Sequence, residues 1–317
     1  MPQSRPAADG FAEAMVAGLS GQPRAVPCRY LYDSEGLALF ERITELDEYY
    51  LSRTETALLA AHGGDIAARV GTGCRVVEFG AGSMAKSRLL LAALERPSTY
   101  VPIDIAADAL TLAARRVSRV FPGLTVTPLA ADFLRPLTLP PEVAGGGPVL
   151  EFFPGSTIGN LAPIEARDFL RRAARLAAPA GWLLVGVDLA KDPRVIEAAY
   201  DDVQGITAAF VRNLLARANR DLSADFDPES FDHIARWNAR ESRIEIHLVA
   251  NCRQSASLAG RRFRFRRGDT IHVEDCYKYS VEQFRWLARA AGWQPEAVWI
   301  DPARLFSLHL LALPGGA

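Results

Sequence analysis

Between residues 75 and 187, short apolar runs alternate with segments whose apolar residues recur at helical spacing. The apolar runs predict five β-strands, at 75–79, 99–103, 124–129, 149–153 and 182–187. Helices are predicted between them, at 86–94, 108–120 and 163–177. Because parallel strands need a long crossover, which a helix commonly supplies, this alternation predicts an α/β fold with a doubly wound parallel sheet.

The first predicted strand leads into a turn that contains two glycines. Glu78 lies near the end of the strand, Gly80 and Gly82 form the turn, and a helical pattern follows from about Lys86. Parallel sheets use such a turn to bring their backbone against a nucleotide-like ligand at the start of a helix. With Ala85, the same glycines also match the loose G-x-G-x-x-[GA] fingerprint of dinucleotide binding. The turn alone therefore leaves NAD, another nucleotide cofactor, or no cofactor open.

Two further acidic residues follow the next two predicted strands. Asp104 closes the second strand, and Asp132 follows the third strand with Phe133 next to it. Carboxylates at the ends of three successive strands suit a ligand with a cationic head, a ribose and an adenine, as S-adenosylmethionine has. Asp104 would also serve as the ribose-binding acid of an NAD site. Glu78, Lys86 in the first helical turns and the pair Asp132-Phe133 favour the methyl donor over NAD. Glu78 can receive its amino-acid part, and Asp132-Phe133 offers an acceptor and an aromatic face to its adenine.

Composition excludes several classes of function. The formal net charge of -1 indicates no polyelectrolyte partner, and the arginines of 261–267 predict a basic edge strand rather than a nucleic-acid site. The four scattered cysteines favour neither a disulfide framework nor a zinc site, and the histidines form no metal-binding motif. No apolar run approaches the roughly 18 to 20 residues of a membrane span, and no signal-peptide pattern is present. We therefore expect a metal-free cytoplasmic protein that binds neither nucleic acid nor membranes.

The strand–helix alternation stops after residue 188. Helices are predicted at 11–19, 37–46, 58–70 and within 194–222, and the segment 231–279 is rich in β-type patterns. A helix at 281–291 and strands at 298–300 and 305–313 complete the chain, with the last strand suited to antiparallel insertion. This ending is typical of Rossmann-like methyltransferases that use S-adenosylmethionine. We expect a cofactor domain at 54–190 plus 280–317, and a second, α+β substrate-binding domain at 1–53 plus 191–279.

A polar, glycine-containing segment follows the fourth predicted strand. It runs from Phe152 to Asn160 and includes Gly155. Open α/β sheets bind ligands at the carboxyl ends of their strands, and an asparagine amide offers both a donor and an acceptor. Asn160 is equally suited to capping the helix predicted from residue 163.

The chain resembles the histidine Nα-methyltransferases of ergothioneine biosynthesis over almost its whole length. The resemblance rests on motifs in a fixed order: Tyr32-Asp33, Glu48-Tyr49-Tyr50, Glu78-Phe79-Gly80-Ala81-Gly82, Asp132-Phe133, Gly155-Ser156-Thr157-Ile158-Gly159-Asn160, Asp188-Leu189, Ala199-Tyr200-Asp201-Asp202, Gly205-Ile206-Thr207-Ala208, and Glu274 with Lys278. It implies a Rossmann-like methyltransferase core with a substrate-binding lid. The implied reaction is trimethylation of the α-amine of L-histidine to hercynine, the first step of ergothioneine biosynthesis.

The resemblance also implies roles for individual residues. Positions matching the family's cofactor site are Gly80, Lys86, Asp104, Asp132 and Phe133, to which the glycine-turn pattern adds Glu78 and Gly82. Positions matching the site for the α-amino and carboxylate ends of histidine are Tyr49, Gly155, Asn160 and Tyr200. Tyr32, Phe40 and Thr207 match residues around the reacting amine, and Glu274 matches the carboxylate that receives the imidazole. Among these, we expect Tyr32, Tyr49 and Asn160 to act in catalysis.

The implied chemistry suits these residue types. Methyl transfer is an in-line displacement by a neutral amine, so the enzyme mainly has to position the reactants. A phenol or a bridging water can pass the amine proton outward without a strong base. Aromatic faces attract an increasingly methylated ammonium by up to about 2 kcal/mol when the site is desolvated.

Two positions depart from the family pattern. Cys276 stands where the family usually carries a serine, and Ile246 stands where well-known bacterial members have a methionine. Cys276 would share a strand face with Glu274, but a thiol is a weaker hydrogen-bond partner than a hydroxyl. Two alternatives therefore stay open: an N-methyltransferase for another aromatic amino acid such as tryptophan, or a protein that binds amino acid and cofactor without turnover. We expect a monomer.

Overall fold

The computed structural model describes residues 6–82, 84–141 and 147–315. Residues 1–5, which belong to the segment where the sequence predicts no signal peptide, lie outside the described residues. The helices are α1 Pro6–Ser20, α2 Ser34–Thr44, α3 Tyr50–Val70, α4 Ala85–Ala93, α5 Ala107–Val120, α6 Pro163–Leu176, α7 Pro193–Tyr200, α8 Ile206–Leu222 and α9 Val281–Ala290. The strands are β1 Arg24–Ala25, β2 Arg75–Phe79, β3 Thr99–Asp104, β4 Thr125–Val126, β5 Leu129–Ala130, β6 Val149–Phe153, β7 Gly181–Asp188, β8 Phe231–Asn238, β9 Arg243–Ala250, β10 Gln254–Leu258, β11 Arg261–Phe265, β12 Thr270–Tyr277, β13 Gln294–Ile300 and β14 Phe306–Ala312.

The chain divides into two compact units, each built from two segments. Leu51–Ala190 and Tyr277–Ala317 form one unit, called here the Rossmann-like unit. Met1–Tyr50 and Lys191–Cys276 form the other, called here the second unit. Among the described residues, no helix is long and apolar enough to cross a membrane.

The Rossmann-like unit contains one large sheet with the strand order β13-β14-β7-β6-β2-β3-β4, and β5 also pairs with β3. The pairs from β7 through β6, β2 and β3 to β4 are all parallel. β14 is antiparallel to both β7 and β13. The prediction of an α/β, Rossmann-like methyltransferase sheet is confirmed, and the last strand inserts antiparallel as its sequence pattern indicated.

The core of this unit explains why its strands read as continuous apolar runs. β6 is buried at every residue, and β2 at all but its first, because helices cover both faces of a parallel sheet. Phe79 and Phe153 pack against Phe169 of α6, with ring centroids 5.1 and 4.5 Å away. Because β2 pairs in parallel with both β3 and β6, the carboxyl ends of these three strands lie at one edge of the sheet.

Three differences from the predicted bounds have a clear local cause. The strand expected at 124–129 is divided into β4 and β5, because Pro128 cannot donate a backbone hydrogen bond to the ladder. α3 begins at Tyr50 rather than at 58, because its buried stripe continues through Leu51 and Glu55. The sequence pattern did not predict this first part of the helix, because Glu55 interrupts the apolar spacing. The segment 194–222 forms two helices, which Gly205 separates with a φ of +72°.

The second unit combines a four-stranded sheet, ordered β1-β12-β9-β8, with the hairpin β10-β11 and the helices α1, α2, α7 and α8. β9 buries every second residue, as its alternating sequence predicts. In β11, Phe263 and Phe265 are buried while Arg262 and Arg264 are exposed. The predicted edge strand with a basic exposed face is therefore present.

Candidate functional site

The turn after β2 holds its glycines in a conformation that other residues rarely adopt. Gly80 has a φ of +71° and Gly82 a φ of +49°, in the left-handed region that L side chains disfavour. The Gly80 N–H donates to the carbonyl of Ile103 at 2.9 Å, which ties the turn to β3. A Cβ built on Gly82 would meet no atom within 4 Å. The backbone of this turn is therefore open for close approach by a ligand.

Asp104 lies beside this turn at the end of β3. Its carboxylate accepts hydrogen bonds from the backbone N–H of Gly82 at 3.3 Å and of Ala106 at 3.0 Å. Each carboxylate oxygen can accept a further bond, as the hydroxyls of a ribose require. The donor and acceptor chemistry of this edge therefore fits the nucleoside of S-adenosylmethionine.

Asp132 and Phe133 follow β5 near the same turn. Asp132 accepts the backbone N–H of Leu134 at 2.9 Å. The Phe133 ring lies 5.5 Å from the ring of Phe153, and its edge is 3.6 Å from where a Gly80 Cβ would stand. The structure thus brings together an aromatic ring, a glycine turn and two part-buried carboxylates that the sequence placed on three separate strands.

Glu78 has a buried partner. Its side chain is 1% exposed, and it accepts a hydrogen bond from the Tyr100 hydroxyl at 2.6 Å. Burial raises the pKa of this carboxyl to about 8, because an apolar environment disfavours the charged form. Its predicted contact with the methyl donor stays a prediction.

Lys86 is bound to a residue that the sequence pattern did not indicate. Its ammonium nitrogen lies 2.5 Å from a carboxylate oxygen of Glu55. Both oxygens of Glu55 also accept the backbone N–H of Gly155, at 2.8 and 3.1 Å. The available signal was an acidic residue on the apolar stripe of α3, where a charge needs a partner.

The segment after β6 carries Gly155 and Asn160. Gly155 has a φ of +79°, and Asn160 ends a short 3₁₀ helix, Thr157–Asn160. α6 begins three residues later, at Pro163, and the backbone N–H of Ala162 donates to the Glu165 carboxylate at 2.9 Å. The N-cap position of α6 is therefore Ala162 rather than Asn160, and the predicted role of Asn160 in substrate binding stays a prediction.

A buried ion pair lies next to the segment 155–160. Lys278 and Asp188 lie 2.6 Å apart, with side chains 1% and 0% exposed. The backbone N–H of Asp188 donates to the Ser156 hydroxyl at 2.9 Å. A Cβ on Gly159 would stand 2.6 Å from the carbonyl oxygen of Tyr277. These contacts fix the path of the segment 155–160. The sequence patterns marked Asp188, Lys278, Ser156 and Gly159 as motif residues but assigned them no role.

In the second unit, four of the predicted substrate residues join one aromatic cluster. The Tyr32 ring lies 5.6 Å from Phe40 and 5.3 Å from Phe210, and both contacts involve steeply inclined rings. Phe40 lies 6.1 Å from Tyr49, which lies 6.2 Å from Tyr200. Ring faces and phenol oxygens thus come together from α2, α7, α8 and the residues preceding α2 and α3.

Glu274 of β12 is buried close to this cluster. Burial and then the negative charge of Glu274 raise the pKa of Tyr32 well above its usual value. Burial and the same carboxylate also raise the pKa of the Cys28 thiol, a neighbour that sequence reasoning missed. The parallel pairing of β1 with β12 places Cys28 there, and that pairing is not visible in the sequence. Cys276 is also buried on β12, and Ile246 is buried on the neighbouring strand β9.

Thr207 lies in the first turn of α8, three residues before Phe210, so both occupy one helix face. Asp202 fixes the start of this helix by accepting the backbone N–H groups of Ile206 at 2.9 Å and Thr207 at 2.7 Å. Although burial opposes it, these backbone hydrogen bonds lower the pKa of Asp202. The carboxylate therefore stays ionised and holds the helix start in place.

Comparison with known proteins gives consistent results. A family model described as "Histidine-specific methyltransferase, SAM-dependent" matches residues 11–313. A histidine N-alpha-methyltransferase of Mycolicibacterium smegmatis is 39% identical over 313 residues, covering 96% of each chain. One from Mycobacterium tuberculosis is 38% identical and covers 94% of this chain and 93% of the relative. Ergothioneine biosynthesis protein 1 of Neurospora crassa is 30% identical over 92% of this chain and 33% of that longer protein.

Proposed function

The chain belongs to the family of histidine-specific, S-adenosylmethionine-dependent methyltransferases, and we propose that it converts L-histidine to hercynine by three methylations of the α-amine. The relatives' names support histidine as the substrate and ergothioneine biosynthesis as the pathway. The observation that carries the proposal is the buried Glu274 carboxylate, which lies close to the aromatic cluster of Tyr32, Phe40 and Phe210.

We assign the methyl donor to the edge of the Rossmann-like sheet. S-adenosylmethionine, when bound, supplies an electrophilic methyl group. Asp104 accepts from the ribose hydroxyls in this assignment, Asp132 from the adenine amine, and Phe133 packs against the adenine face. Gly82 provides an open backbone beside the donor, and Gly80 lies next to Phe133. The assignment is completed by the remaining predicted donor residues, which are Glu78 and Lys86.

We assign the imidazole of histidine to Glu274. A neutral imidazole carries one N–H donor, and a carboxylate accepts such a donor with a charge-assisted hydrogen bond. The assignment adds Cys276 and Ile246 as neighbours of the ring. The thiol is a weak hydrogen-bond partner, so most of the polar recognition of the ring falls to Glu274.

We assign the reacting amine to the aromatic cluster of the second unit. Tyr32, Phe40 and Thr207 surround the amine in this assignment, and Tyr49 and Tyr200 hold the α-amino and carboxylate ends. The family resemblance adds Gly155 and Asn160 to the residues for those ends. Ring faces favour the amine more as its methylation advances, because a quaternary ammonium cannot donate hydrogen bonds but is attracted to aromatic π-systems.

We assign the transfer of the amine proton to Tyr32 of the same cluster. Because the pKa of Tyr32 is raised, its hydroxyl keeps its proton and cannot act as a phenolate base. The hydroxyl can still accept a proton from an ammonium while it donates its own onward, as a relay. Tyr49 and Asn160 orient the amine in this proposal, so that its lone pair faces the methyl group.

The decisive assay is a competition among all twenty amino acids. The protein is incubated with S-adenosylmethionine and the mixture, and mass spectrometry follows the addition of one, two and three methyl groups. We expect trimethylated histidine and no other methylated amino acid. Trimethylated tryptophan or tyrosine with histidine unchanged would contradict the proposal and favour an enzyme for another aromatic amino acid. Binding of cofactor and histidine without any mass addition would indicate a non-catalytic protein.

Glu274→Ala tests the imidazole assignment separately. Loss of a charge-assisted hydrogen bond predicts histidine binding weakened by about 10- to 100-fold. Binding of S-adenosylhomocysteine is expected to stay unchanged in titration calorimetry. Glu241→Ala, an exposed glutamate of the same unit, is the matched control. Equal loss of both ligands in Glu274→Ala would show that the imidazole has been assigned to the wrong carboxylate.

We further propose that the enzyme works as a cytoplasmic monomer. Size-exclusion chromatography with light scattering is expected to give the mass of a single chain. Fractionation of the source cells is expected to recover the protein with the cytoplasmic markers. A dimer mass or recovery outside the cytoplasm would contradict the corresponding part of this proposal.

A further inference from the structure

Glu55 carries a carboxylate that is fully buried inside the Rossmann-like unit, at 0% exposure. It lies in the second turn of α3, on the stripe that also buries Leu51 and Leu59. Its partners are the ammonium of Lys86 at 2.5 Å and the backbone N–H of Gly155 at 2.8 Å. One buried charge therefore joins α3 to the first turn of α4 and to the segment after β6.

The surrounding structure makes room for this charge. Gly186 lies inside β7, and a Cβ built on it would stand 2.1 Å from Glu55 Oε1. A side chain at 186 would displace the carboxylate, since the other nearby atom, on the Phe306 ring, already lies 3.0 Å from that position. The glycine in an otherwise apolar strand and the glutamate in an apolar helix stripe are thus two parts of one arrangement.

Stability alone does not account for this ion pair. Taking two charges out of water costs about as much as their attraction returns, and apolar replacements of buried ion pairs are often neutral or stabilising. What the pair does provide is a fixed position for its partners. Lys86 is the second residue of α4, which follows the glycine turn of β2, and Gly155 follows β6, the strand paired with β2.

We propose that Glu55 is a positioning residue for methyl-donor binding, which holds the Lys86 ammonium and the Gly155 backbone in the geometry that the donor meets. The proposal rests on the assignment of Lys86 to the donor site. With the carboxylate in place, both groups are ordered before the donor arrives, and binding does not have to order them. Without it, the Lys86 side chain regains its rotamers and the part-buried N–H of Gly155 loses its acceptor.

Glu55→Gln separates charge from shape. The amide oxygen can still accept the Gly155 N–H, but it carries no charge to hold Lys86. Losing one charge-assisted contact predicts about 10- to 100-fold weaker binding of S-adenosylhomocysteine. We also expect the KM for the methyl donor to rise by a similar factor, while kcat at saturating donor changes much less.

The test is titration calorimetry of S-adenosylhomocysteine into the full-length protein, comparing Glu55→Gln, Lys86→Met and the double variant. If Glu55 acts through Lys86, the two losses of affinity do not add. The double variant then has about the same affinity for S-adenosylhomocysteine as the single variant that binds it less tightly. Glu151→Gln is the matched control, because Glu151 is equally buried in the same unit and contacts neither Lys86 nor Gly155 by hydrogen bond. This control is expected to bind S-adenosylhomocysteine like the wild type.

Gly186→Ala provides a second route if Glu55→Gln does not fold. The added Cβ displaces the Glu55 carboxylate without removing its charge, and the same weakening is expected. Unchanged affinity in folded Glu55→Gln or Gly186→Ala, even with a lowered unfolding temperature, would overturn the positioning role. Histidine is absent from this titration, so failure of the histidine assay would leave this result standing. Confirmed histidine methylation with unchanged donor affinity would overturn only the role of Glu55.

Discussion

Glu151 lies in the middle of β6 with its carboxyl inside the apolar core. The side chain is 0% exposed, and neither carboxyl oxygen has a hydrogen-bond partner among the described residues. Its sheet neighbours in register are Val77 of β2 and Leu183 of β7. Burial raises the pKa of this carboxyl well above its usual value, so the folded protein keeps it protonated.

The sign of the pH effect follows from this raised pKa. An unfolded chain releases the proton above the ordinary glutamate pKa, while the folded chain must keep it. Stability from this group is therefore fully present at low pH and is lost as the pH rises, at about 1.4 kcal/mol per pH unit, until the raised folded pKa is reached. Glu151→Gln removes the ionisation and leaves the shape nearly unchanged. Between pH 6 and pH 7.5, the variant should therefore gain stability relative to the wild type, at up to about 1.4 kcal/mol per pH unit.

Urea unfolding at several pH values measures this difference. Tryptophan fluorescence is a suitable probe, because Trp182, Trp286, Trp293 and Trp299 all lie in the Rossmann-like unit that contains Glu151. Comparing the two proteins at each pH cancels the other titrating groups, including Glu78, whose pKa of about 8 acts with the same sign. Parallel stability curves for variant and wild type would refute the reasoning, since they would mean that the carboxyl is ionised in the fold.

Three further predictions test single features. Gly82→Ala should cost about 1 to 2 kcal/mol of stability because its φ is positive, and it should also weaken the binding of S-adenosylhomocysteine. The control Gly260→Ala has a φ of +72° and equally open space, so it should lose only stability. Equal affinities of the two variants for S-adenosylhomocysteine would contradict the ligand role of Gly82. Burial lowers the pKa of His309 to about 3. The stability of the wild type should therefore fall below pH 6.5, by about 1.4 kcal/mol per pH unit. A His309→Gln variant whose stability, measured by urea unfolding, falls with pH at the same slope would contradict this. Asp33→Ala removes the carboxylate that accepts hydrogen bonds from Gly36 at 2.8 Å and from Asn213 at 2.7 Å. Thermal unfolding should show a loss of about 2 to 3 kcal/mol in the free energy of unfolding. An unchanged unfolding midpoint would show that this cap is dispensable.

The course of the Rossmann-like sheet could be read from the sequence because its signals are local. Each strand is an apolar run bounded by turn residues, and β6 was predicted with its observed bounds. Even the split at Pro128 has a local cause, the missing N–H of proline. The glycine turn and Asp104 were readable for the same reason, since chain order places them at the ends of parallel strands.

The sequence by itself thus determined the fold class, the glycine turn and the types of residue near it. Only the tertiary structure decided which buried polar groups have partners. Glu55 finds Lys86 at a separation of 31 residues and Gly155 at a separation of 100, while Glu151, equally buried, finds none. Local pattern marks both as acids in apolar surroundings, and the difference arises from long-range packing. A charge survives burial where distant segments supply counter-charges and donors, and a carboxyl stays protonated where they do not.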